Sequence, residues 1–139
     1  MSRRKKGDSR EYTKWLEYAE SDIVAAEFLS KNEMTLKLSA FCCHQAIEKT
    51  LKAYFLFCDG YAPDGHNIIF LCKRAMKDNE KFMMWLDECV TLNGAYIQTR
   101  YPPDFEFEIS KKTAYKYANM AKKLHKFVFD ELLDDLDIK

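Results

Sequence analysis

His44, Glu48 and Lys52 recur at four-residue steps, with Gln45 and Lys49 beside them. On a helix this spacing sets an imidazole, a carboxylate and an ammonium in one stripe within reach of each other. Such a stripe is either a solvated face carrying an ordinary Glu–Lys pair or the lining of a ligand or partner groove. In the groove, His44 would donate to phosphate and Lys52 would supply charge. Periodicity alone does not separate the two.

A second cluster comprises Asn93, Tyr96, Thr99, Arg100 and Tyr101. Asn93 and Tyr96 share a helix face, and Arg100 follows one turn on. An arginine beside two tyrosines, closed by Pro102 and Pro103, suits a planar anion or a stacked base. The plainer alternative is an arginine that ties down the following loop by bonding its carbonyls. His66 and Asn67 are likewise read either as part of a site or as the cap of the next helix. The sequence holds no glycine-rich phosphate loop, no HExxH, no Cys-x-x-Cys pair and no GxSxG elbow. Cys42 and Cys43, adjacent on a helix, point about 100° apart and cannot join His44 around a tetrahedral metal.

These residues need elements to hold them. Tyr12, Leu16, Ala19, Ile23, Ala26 and Leu29 predict an amphipathic helix over 11–30. A second helix, over 35–58, carries an apolar stripe of Ala40, Cys43, Ile47, Leu51, Tyr54 and Cys58, widened by Phe41 and Phe55. So broad an apolar face belongs to a central helix touched by several others. Residues 59–67, with two Asp-Gly steps and a proline, read as a loop. A short helix over 68–77 follows, then a turn at Asp78 and Asn79, then a helix over 80–98 interrupted chemically by Gly94. The two prolines end it, and the alternation of Phe105, Phe107 and Ile109 with glutamates predicts an extended segment across the bundle. Ser110 is placed to cap a last helix, to about 136, with Ala114, Tyr117, Ala121, Leu124, Val128 and Leu132 inward. The acidic end opposes the helix dipole, so its last turns are expected to fray. The expected fold is all-α: an antiparallel bundle of four long helices and one short one, a single domain over 11–136 after a disordered basic tail.

Composition narrows the partners. The 139 residues are 47% apolar, with four Gly and three Pro, enough for a core and too few turn-formers for a many-stranded barrel. Twenty-two basic and 22 acidic side chains cancel, so no overall charge invites nucleic acid, an anionic membrane or a basic partner. The ends are asymmetric: residues 1–10 hold five basic groups and one acid, and 130–139 hold five acids and one lysine. Five cysteines, mostly in apolar helical patterns, read as buried reduced thiols. No stretch suits a signal peptide and no window approaches 18 apolar residues, so a soluble, cytoplasmic protein away from membranes is expected.

Three stretches carry a family resemblance. They are the opening Ala19-Glu-Ser-Asp22-Ile-Val-Ala-Ala26, the run from Phe41 through His44, Gln45, Glu48, Lys49 and Lys52 to Ala53, and His66-Asn-Ile-Ile-Phe-Leu71. The run from Leu92 to Pro102 resembles a Tyr-x-x-Thr-Arg-Tyr-Pro signature, with Tyr96, Thr99, Arg100 and Tyr101 in place. Together they resemble a HEPN domain, the nucleotide-binding domain named for higher eukaryotes and prokaryotes. The resemblance implies a helical bundle that commonly dimerises, often encoded beside a small nucleotidyltransferase. One branch of the family is ribonuclease toxins, whose site is an arginine, four to six residues, then a histidine. Here the histidines are 44, 66 and 125, and none has an arginine at that distance before it. The expected function is therefore a non-enzymatic nucleotide-binding or nucleotidyltransferase-partner module, working as a homodimer. It would use His44, Glu48, Lys52, His66, Asn93, Tyr96, Thr99, Arg100 and Tyr101, with no cofactor or metal. A metal-independent ribonuclease and a purely structural dimerisation domain are the alternatives.

Overall fold

A computed structural model describes residues 11–100 and 108–137, with side chains to residue 94 and over 108–134. Among them, five α-helices run in order: α1 (Glu11–Leu29), α2 (Leu36–Asp59), α3 (Ile68–Asp78), α4 (Leu86–Arg100) and α5 (Lys111–Asp137). No strand occurs among the described residues. No helix among them is long and apolar enough to cross a membrane.

α2 is the centre of the bundle, as its broad apolar face requires, and packs against α1, α3, α4 and α5. Ala40, Cys43, Ile47, Leu51, Tyr54 and Phe55 are all buried on it. α1 lies along α2 through Leu16, Ala19, Ile23 and Ala26, whose small residues let the two backbones approach. The buried Ser39 hydroxyl donates to the Ala26 carbonyl at 2.7 Å and pins that contact. α5 closes the bundle with Ala114, Ala118, Ala121, Leu124, Val128 and Leu132, and its Tyr117 is half-buried at the margin. His125 Nε2 donates to the Leu16 carbonyl at 3.0 Å and ties α5 to α1.

The helix ends follow local chemistry. Gly60 ends α2 in the left-handed region, φ 83°, and its N–H donates to the Leu56 carbonyl. Asn67 caps α3, its Oδ1 accepting from the N–H groups of Ile69 and Phe70. Ser110 caps α5, with its Oγ accepting from Thr113 N–H at 3.1 Å.

Two expectations are corrected. The expected helix over 80–98 begins as a 3-10 segment, Glu80–Trp85, before turning into α4. Asn79 ends α3 and restarts the chain: its side chain accepts from Lys81 N–H and its carbonyl accepts from Phe82 N–H. That three-residue closure winds the segment tightly and drives Phe82 into the core. α4 then continues to Arg100, further than the apolar pattern indicated, and α5 runs to Asp137. Of the expected extended segment, only residues 108–110 are described, without regular structure. The tail over 1–10 lies outside the described residues.

Phe82 is wholly buried, edge-on to Tyr54 at 4.7 Å and to Phe127 at 5.1 Å between ring centroids. Replacing it with alanine removes a large apolar group from a site ringed by rigid aromatics. Phe82→Ala is expected to lower unfolding stability by about 3–5 kcal/mol, measured by urea denaturation. A loss below about 1 kcal/mol would mean that the surrounding rings collapse into the space.

Candidate functional site

The stripe on α2 is not a solvated face. His44 is wholly buried, Glu48 is 5% exposed and Lys52 is 8% exposed. A carboxylate and an ammonium this deep need partners, because an unpaired buried charge is costly. Glu48 supplies and receives them. Its Oε2 accepts from Lys52 Nζ at 3.1 Å. His66 Nδ1 lies 3.0 Å from Oε2 and 3.1 Å from Oε1 of the same carboxylate.

His66 arrives from the loop between α2 and α3. Asn67 next to it is the cap of α3, so the loop is anchored at that point and the imidazole turns back to α2. Its side chain remains 58% exposed while Glu48 is buried. A carboxylate only accepts, so Nδ1 is the donor of that hydrogen bond. This is an imidazole with its tautomer and orientation set by a buried acid.

His44 sits behind that pair, its Nδ1 3.9 Å from Glu48 Oε1, too far for a hydrogen bond. Burial penalises its charged form and lowers its pKa to about 4, against the opposing pull of the Glu48 charge, the Asn93 side chain and the His66 backbone. The ring is neutral at pH 7 and supports the site from within, without a surface of its own to offer a ligand.

Asn93, on α4, accepts from Ile68 N–H at 3.1 Å through its Oδ1. It therefore fixes the first turn of α3, and with it the loop that carries His66. The structure thus brings His44, Glu48, Lys52, His66 and Asn93 together from three parts of the chain. Tyr96, Thr99 and Arg100 continue α4 beyond Asn93, and their side chains lie outside the described residues, as does Tyr101.

Two contacts escaped the sequence reading. Lys52 Nζ lies over the Trp15 ring, 6.0 Å from its centroid, so the ammonium has a carboxylate on one side and an indole on the other. Lys49, beside the stripe, bridges to Asp22 of α1 at 2.8 Å. The available signal was Trp15 itself, one position off the apolar stripe of α1 and next to Lys14. Among the described residues, no group of three or more His, Cys, Asp or Glu side chains could hold a metal ion.

The family model described as the HEPN domain matches residues 12–132, nearly all of the chain. The chain belongs to the HEPN family. Two solved structures share its fold. The Thermus thermophilus protein TT1696 is 23% identical and superposes with a TM-score of 0.73, covering 86% of this chain and 96% of that one. ST0689, an archaeal HEPN homologue, is 22% identical with a TM-score of 0.67 and the same coverages. No curated protein is a significant match to the sequence. Within this HEPN domain the central polar cluster is formed by α2, the loop before α3, and α4, which the bundle holds at fixed spacing.

Proposed function

We propose that this HEPN domain acts on RNA at the Glu48–His66 cluster, cleaving it through the RNA's own 2′-hydroxyl without a metal ion. The observation that carries this reading is a half-exposed His66 whose Nδ1 is held by the buried Glu48 carboxylate. A histidine with one nitrogen protonated and held by a carboxylate presents the other as a proton acceptor, the requirement for a general base. Nε2 takes the 2′-hydroxyl proton as the 2′-oxygen bonds to phosphorus. The bond from phosphorus to the 5′-oxygen breaks, and that oxygen is protonated by water. The products are a 2′,3′-cyclic phosphate and a 5′-hydroxyl. His66 and Glu48 here stand in for the arginine–histidine motif of the toxin branch, which this sequence lacks. Arg100, further along α4, is the proposed phosphate contact.

The test is incubation of the full chain with a structured RNA in EDTA, reading out cyclic-phosphate ends. His66→Ala, at an exposed position, is expected to keep the fold and lose cleavage by at least about 100-fold. RNA left intact by the unmutated protein would defeat this reading.

A second reading is a non-enzymatic module that binds a nucleotide or a nucleotidyltransferase. It draws on the pairing of Lys52 with Glu48, in which each buried charge is satisfied by the other and needs no catalytic role. Intact RNA together with nucleotide binding, or recovery of a nucleotidyltransferase in near-equal amount with the tagged chain, would select it.

A further inference from the structure

Next to the cluster, α1 and α2 frame a cavity of about 390 Å³ lined by Glu11, Lys14, Trp15, Tyr18 and Lys49. We propose that this cavity is a nucleobase subsite, in which the base of a bound nucleotide stacks on Trp15 and Tyr18 while the adjoining lysines face its phosphate. The inference rests on the reading of the cluster as a site for RNA or a nucleotide, and it names where the base goes.

Four of the lining residues come from one ridge. Residues 11, 14, 15 and 18 follow the i, i+3, i+4, i+7 spacing of a single helix face, so α1 presents them together over Lys49 of α2. The apolar stripe of α1, through Leu16, Ala19 and Ile23, already serves the core. Trp15 lies just outside that stripe, half-buried against the core, and Tyr18 is 62% exposed. Two aromatic rings and two ammonium groups around a cavity of this size match what a nucleotide offers, an apolar planar base and an anion. An apolar ligand would find Lys14 and Lys49 at the walls, and a simple anion would have no use for two rings. Glu11, also in the lining, can accept from a base amino group or a ribose hydroxyl.

Continuity with the cluster decides the choice of occupant. Lys52 stands between the two: its Nζ is 3.1 Å from Glu48 and lies over the Trp15 ring. A base stacked at Trp15 therefore lies next to the Lys52 ammonium, the residue that joins the cavity to the cluster. Lys49, held by Asp22 at 2.8 Å, fixes the floor of the cavity by joining α1 to α2.

Calorimetric titration of the full chain with AMP, ribose 5-phosphate and inorganic phosphate tests this directly. AMP is expected to bind at least about tenfold more tightly than ribose 5-phosphate. Tyr18→Ala and Trp15→Leu are each expected to weaken AMP about tenfold and leave ribose 5-phosphate unchanged. Tyr18 is exposed, so its variant keeps the test valid if Trp15→Leu fails to fold. Equal affinity for AMP and ribose 5-phosphate, no binding of either, or AMP affinity unchanged in Tyr18→Ala would overturn the subsite. The two proposals fail separately. RNA cleavage without base discrimination removes the subsite and keeps the nuclease. Base discrimination without cleavage removes the nuclease and keeps the subsite.

Discussion

Glu48→Ala is expected to destabilise the bundle by about 3 kcal/mol, and adding Lys52→Met to it is expected to recover most of that loss. Glu48 is the shared acceptor for Lys52 and His66, and it sits at the centre of α2 with 5% exposure. Removing its carboxylate leaves the Lys52 ammonium, itself 8% exposed, without its counter-charge and beside an apolar ring. The cost then comes from the stranded charge, which is why removing that charge as well restores stability. His66 is largely in solvent and loses only its orientation. A drop in melting temperature of roughly 10 °C for the single variant, and a much smaller one for the pair, would be read by calorimetry. If the double variant were no more stable than the single, Lys52 would be reaching water on its own and the pair would contribute position, not stability.

The helices were legible because their core faces are periodic. α2 announced its central place through an apolar face too wide for one neighbour, and α5 through Ala114, Ala121, Leu124, Val128 and Leu132 at three- and four-residue steps. The cap at Ser110 was legible for a similar reason, since a single hydroxyl before a helical pattern has one obvious use. The start of α4 was not. Phe82, Trp85 and Cys89 keep a spacing that both helix types accommodate, and the choice of a 3-10 segment is made by hydrogen bonds to Asn79.

The site was half legible, and the reason is geometric. Periodicity put His44, Glu48 and Lys52 on one face of α2, but which way that face points depends on helices far away in sequence. Trp15, His66 and Asn93 meet it from α1, a loop and α4, contacts that no local pattern encodes. The face proved to be inward, which turned an apparent solvent stripe into a buried network with the His66 imidazole emerging from it. Asn67 and His66 divide the labour that the sequence left undecided, one capping α3 and the other reaching Glu48.

His44 gives that network a pH dependence of definite sign. Burial lowers its pKa from 6.5 to about 4, so between these values the unfolded chain binds a proton that the folded chain does not. Protonation then favours unfolding, and stability falls as pH is lowered through this window. Above about pH 6.5 the group contributes no slope, and below about pH 4 the loss is complete. The size follows from the shift, about 3 kcal/mol across the window. Carboxylates titrate in part of the same range, so the measurable quantity is a difference. Urea denaturation of the unmutated chain and of His44→Gln, between about pH 4 and pH 8, should give curves that separate by about this amount toward acid, with the variant the flatter. His44→Gln will carry its own constant offset from lost packing, which the slope comparison removes. Parallel curves would mean that the folded protein accepts the proton, with the imidazolium held by the Glu48 carboxylate 3.9 Å away. In that case the inner histidine would be a charged member of the site, and the acid limb of any RNA cleavage would have to be assigned to it as well as to His66.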